Sequence, residues 1–188
     1  MAKFRHLSHQ HIKKAFLTQG VEELLAQLSV FPVKTALHSV LSALYSTNEA
    51  VRFKSVTLFG LLMSKLAQED MEAARQVMRR LMWSLNDESG GIGWGAPEAM
   101  AEAMAMDAGL AQEYAHILLS YVWEEGNYLE YLPLRRGALK GIARLACARP
   151  QLLNALQAQE RLQPYLNDAD EESREAAQSG LACLRQAK

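Results

Sequence analysis

The chain has 188 residues, 49% of them hydrophobic and 22% charged, with a formal net charge of -1. That length suggests one domain with a continuous core, and that charge excludes a global basic field for nucleic acid or an anionic membrane. Two cysteines, Cys147 and Cys183, are too few for a disulfide framework or a zinc cluster.

From the N-terminus, no apolar run follows Met1-Ala2-Lys3-Phe4-Arg5-His6, so no secretory leader is visible. No stretch approaches the roughly 18 apolar residues of a membrane span, and the expected location is cytoplasmic. His6, His9 and His11 stand close enough to share a metal, but no Cys, Asp or Glu lies near to complete the site. No metal and no cofactor is expected. Val21, Leu24, Leu25 and Leu28 form a helical stripe. Pro32 suits the first turn of the next helix, which carries Leu37, Val40, Leu41 and Leu44 to about Ser46. Thr47-Asn48 offers a cap for a helix over about 48–66, with Val56, Phe59, Leu62 and Leu66 on one face. Asp70 opens another, with Val77, Met78, Leu81, Met82 and Leu85 inward.

The pattern then stops from Leu85 to Glu98, a stretch holding four of the eleven glycines, and Trp94. Pro97 restarts it with an Ala- and Met-rich helix to Met106, whose small side chains permit close packing and whose methionines read as core. Helices follow from Leu110 to Trp123, from about Pro133 to Cys147, over two short segments from Pro150 to Leu166, and after a cap at 167–170. The cysteines fall inside these apolar patterns, which predicts buried free thiols and fits a reducing compartment. Runs of β-branched residues are missing, so the fold class is all-α.

Segments after the main breaks repeat. Arg52, Gly95, Arg135 and Arg174 open them, 43, 40 and 39 residues apart. Leu85-Asn86-Asp87 recurs as Leu166-Asn167-Asp168, 81 residues on. A period near 40 with two helices per unit resembles HEAT and armadillo-like repeats. The HEAT pattern sets a turn Asp before an Arg at the start of the second helix, as Asp168 and Arg174 stand; repeat two departs, with Gly95 in the place of the Arg. The stretch over 86–98 is also similar to one in small bacterial HEAT-like proteins, a likeness that brings no activity with it. The resemblance implies a HEAT-like α-solenoid of antiparallel helix pairs. It forms a single domain over 1–188, with capping helices in 1–31 and about four repeats over 32–188. The recurring Arg is expected to pair with turn acids and cap carbonyls.

Gly91-Ile92-Gly93-Trp94-Gly95 lacks the preceding strand and the following Lys of a phosphate loop, and Asp87 and Glu88 would repel phosphate. As a turn, its glycines supply positive φ and Trp94 folds back as a plug. The turn over 123–132 is lengthened too. Equivalent turns of a solenoid line one edge. That edge would gather Asp87, Glu88, Trp94, Glu124, Glu125, Tyr128, Glu130 and Tyr131. Acids among aromatics suit a basic or amphipathic protein segment, with Trp and Tyr as anchors. No triad or Cys/His pattern is present, so the expectation is a non-catalytic protein-interaction or scaffold module and not an enzyme. The alternative implied by the resemblance is a DNA-binding protein or DNA alkylpurine glycosylase-type enzyme. That reading would use a basic strip of Arg75, Arg79, Arg80, Arg135, Arg136, Lys140 and Arg144. Neutral charge and the acidic edge oppose it, so nucleic acid is not the expected partner.

Overall fold

The computed structural model describes residues 9–85 and 93–186, with side chains from Lys14 onward. Those residues are helical, with no strand among them. Two short helices lead, α1 (His9–Thr18) and α2 (Val21–Leu28). Three helix pairs follow: α3 (Val33–Leu44) with α4 (Glu49–Glu69), α5 (Met71–Leu85) with α6 (Ala96–Met106), and α7 (Ala108–Ser120) with α8 (Leu132–Ala148). In the fourth unit the first member is broken into α9 (Pro150–Ala155), α10 (Ala158–Leu162) and a 3-10 turn (Gln163–Asn167), paired with α11 (Glu171–Gln186). The second helices α4, α6, α8 and α11 lie side by side in that order, and α5, α7 and α9 each pack on two of them. No pair could bury its apolar face alone; the stack shares one core, which runs from Phe16 to Leu184.

Local chemistry sets the boundaries. Asn48 Oδ1 accepts a hydrogen bond from the Val51 amide at 3.1 Å and starts α4. Asp107 does the same for α7, accepting from the Leu110 amide at 2.9 Å, so that helix begins two residues before the Leu110 that the apolar stripe alone suggested, at Ala108. Lys54 Nζ donates to the carbonyls of Phe16 (3.0 Å) and Gln19 (2.7 Å), closing the end of α1 onto α4.

The recurring arginine has one role. Arg52 Nη1 donates to the carbonyl of Ser46, Arg135 Nη1 to those of Leu129 and Glu130, and Arg174 Nη1 to those of Asp168 and Ala169. In these three units the guanidinium reaches back to a carbonyl six residues upstream and ties the turn to the second helix. Its partners are backbone carbonyls, not the turn carboxylates. The expected register of repeat two is corrected. Gly95 is the N-cap of α6, equivalent to Asn48 and Tyr131, so the position matching Arg52 and Arg135 is Ala99. Ala99 is fully buried, where no guanidinium could reach a turn. The even spacing was therefore partly coincidental; the caps of α4, α6 and α8 stand 47 and 36 residues apart.

The cysteine expectation is also corrected. Cys147 on α8 and Cys183 on α11 form a disulfide, with Cα atoms 4.9 Å apart, and Cys147 is exposed. Their separation of 36 residues is close to one repeat, which puts them at matching heights on adjacent second helices. With the thiols paired, they no longer argue for a reducing compartment. No helix among the described residues is long and apolar enough to cross a membrane.

Candidate binding groove

A groove of about 770 Å³ crosses the second helices. Its walls come from α4 (Arg52, Phe53, Val56), α6 (Glu98, Glu102), α8 (Arg136, Lys140, Arg144) and α11 (Glu172), and Trp94 and Gly95 stand at its edge. Here the second helices pack closely, because α6 is rich in alanine and its neighbours present glycines to it. A Cβ on Gly60 would stand 2.5 Å from Glu102 Cγ, and one on Gly141 would stand 2.9 Å from the Ala101 Cβ. The same economy seats Glu98: its carboxyl lies against Gly137, where an added Cβ would be 2.6 Å from Oε2.

Most charges here answer one another. Arg144 clasps Glu102 with two bonds, Nε to Oε2 at 2.7 Å and Nη2 to Oε1 at 3.1 Å. Arg136 holds Asp170 and reaches Glu172 at 2.9 Å, and Lys140 also bonds Glu172. The Arg136 guanidinium beside Asp170 holds that carboxyl well below its usual range, helped by the Ser173 hydroxyl and amide. Glu98 differs. Its Oε2 is buried without a hydrogen-bond partner, and burial pushes its pKa up, opposed by a hydrogen bond from its own backbone amide and, through space, by Lys140 and Arg52.

The predicted site residues divide. Trp94 and Tyr131, from the turns of adjacent repeats, pack edge to face with ring centroids 6.0 Å apart, so the expected neighbourhood of the two turns exists at this point. Tyr131 is 48% exposed. Trp94 is half-buried at the groove rim beside Tyr131, where it leaves part of its ring open, so it is not the plug expected of it. Tyr128 lies under the Arg135 guanidinium at 5.0 Å, bracing its own turn. Glu124, Glu125 and Glu130 are exposed and make no ion pair among the described residues. Asp87 and Glu88 lie outside the described residues, as do His6 and the side chains of His9 and His11.

The proposed basic strip is not one surface. Arg75 and Arg79 sit on α5, bonded to Glu113 and Glu72, whereas Arg136, Lys140 and Arg144 line the groove from α8. Charge identity and helical period do not reveal which helices adjoin, and that decided the division. The groove carboxylates, Glu98 and Glu102, were missed; the sign available was a pair of Glu four residues apart on an otherwise apolar, Ala-rich helix.

No family model matches the chain, and no curated protein matches it in sequence. Among solved structures, an engineered protein from the Northeast Structural Genomics Consortium is similar at 16% identity with a TM-score of 0.52, covering 95% of this chain and 85% of that one. A designed armadillo repeat protein is similar at 17% identity with a TM-score of 0.51, covering 95% and 87%. The fold is therefore an all-α, HEAT/armadillo-like repeat solenoid.

Proposed function

We propose that this protein is a non-catalytic protein-interaction module that takes an extended segment of a partner protein into the groove across α4, α6, α8 and α11. One observation carries the reading. The groove joins exposed apolar surface to aromatics: Phe53 is 72% exposed on its α4 wall, and Trp94, packed edge to face against Tyr131, stands at its edge. Rigid aromatics with part of their area open are the side chains that anchor interfaces. The acidic turn residues Glu124, Glu125 and Glu130, exposed and unpaired among the described residues, favour a basic or amphipathic segment over a nucleic acid. The groove cations Arg136, Lys140 and Arg144 are engaged by carboxylates, which leaves them poorly placed to take phosphates.

The test is site-specific photo-crosslinking in the protein's own cells, with a benzoylphenylalanine in place of Phe53. A second chain carries it in place of Trp83, which is 79% exposed on α5 and does not line the groove. The expected result is a discrete partner adduct from position 53, absent from position 83 and weakened by Trp94→Ala. Identical adducts from both positions, or none from position 53, overturn the reading.

A further inference from the structure

From the chemistry of the groove floor we infer that Glu98 is the recognition residue for a cationic side chain, Lys or Arg, of the segment that occupies the groove. This rests on the interaction reading above and goes further by naming the feature of the partner that is read.

Glu98 is set apart from the other groove carboxylates. Glu102 has both oxygens filled by Arg144, and Glu172 is bonded to Arg136 and Lys140. Glu98 has a buried oxygen with no partner, although Lys140 and Arg52 are near enough to act on it through space. Arg52 spends Nη1 on the Ser46 carbonyl, and Lys140 spends its ammonium on Glu172. Neither neighbour forms a hydrogen bond or ion pair with the Glu98 carboxyl among the described residues.

The position is also built. Gly137 supplies the room for the carboxyl, since any larger residue there would strike Cδ and both oxygens at 2.6–2.9 Å. Pro97 and the N-cap Gly95 start α6 so that Glu98 falls in its first turn, beside the rim. A buried carboxylate without a counter-charge is costly. Trp94 and Phe53 line the same groove as Glu98, and an ammonium or guanidinium taken up there would supply the missing charge. A neutral or acidic side chain in that place would leave the carboxyl uncompensated, so the groove discriminates as well as binds.

The experiment uses the full chain and synthetic peptide pools. Each pool has one fixed central residue flanked by randomised uncharged residues, and binding is read by fluorescence anisotropy at physiological salt. The fixed residue is Arg, Lys, citrulline, norleucine or Glu. Expected is that the Arg and Lys pools bind about tenfold or more tighter than the citrulline and norleucine pools, a difference of about 1.4 kcal/mol. Glu98→Gln, which keeps shape and volume, is expected to erase that preference and leave the neutral pools unaffected. Glu124→Gln is expected to retain it. Equal binding by all pools, or a preference unchanged in Glu98→Gln, overturns the assignment. If all pools bind equally and Phe53→Asp abolishes binding, the groove is a peptide site that does not read charge, and only this inference falls. If no pool binds, both readings fall.

Discussion

Arg136 and Asp170 meet across the seam between α8 and α11, the Arg136 Nε donating to Asp170 Oδ2 at 3.0 Å, while the same carboxylate caps α11. Asp170 accepts from the Ser173 amide at 2.9 Å and its hydroxyl at 2.8 Å. One side chain thus starts the last helix and fastens it to its neighbour. Asp170→Ala removes the cap and a charge-assisted pair that is only 15% exposed on the acid side, and is expected to cost about 2–3 kcal/mol. Asp170→Asn, which still caps, should cost less. Chemical denaturation checks both.

The same pair sets an acid limit. The Asp170 pKa is lowered by the fold, so its stabilisation is complete above the ordinary aspartate value near 3.8 and is lost as pH falls from there through the lower folded value. Arg136→Ala should flatten the fall in melting temperature over that acid range. Melting curves of wild type and variant on descending pH give the answer.

Glu98 runs the other way. Burial raises its pKa above the ordinary 4.5, so ionising it opposes folding, and stability declines as pH rises from 4.5 through the folded value. Glu98→Gln should therefore be at least as stable as wild type at pH 7, with the difference closing towards pH 4.5. A variant less stable than wild type at neutral pH would mean that the ionised carboxylate helps hold the fold.

Gly95 has φ 74°, a region that side chains with a Cβ resist, and it caps α6 at the groove rim. Gly95→Val is expected to destabilise by about 1–3 kcal/mol, and Gly95→Asn by less. Gly93 is needed for a different reason, since a Cβ there would stand 2.7 Å from the Ser84 hydroxyl. Denaturation midpoints separate the two causes, because Asn rescues position 95 and not position 93.

The disulfide closes a loop of 36 residues between the last two repeats. Reduction, or Cys147→Ser, should cost up to about 4 kcal/mol in the chain-entropy picture, localised to α11 and the segments packed on it. Because Cys147 is exposed, reductant should reach the bond without unfolding. Thiol counting before and after mild reduction, with hydrogen exchange on α11, checks the outcome.

Helix type, most helix limits and the repeat architecture were determined by the sequence, because they follow from local rules. Apolar residues at spacings of three and four, prolines in first turns and Asn48 as a cap act within a few residues of chain. The recurring arginines were legible for the same reason: each reaches only six residues back, to its own turn. Trp94 and Tyr131 were placed as neighbours by one further step, the adjacency of equivalent turns. What only the tertiary structure decided lies between helices. Whether Glu102 faces Arg144, whether Cys147 faces Cys183, and whether Glu98 Oε2 is left without a partner depend on rotation about helix axes and on how closely α4, α6 and α8 approach. Those distances are set by side chains 36 to 42 residues apart, where no local period carries the information.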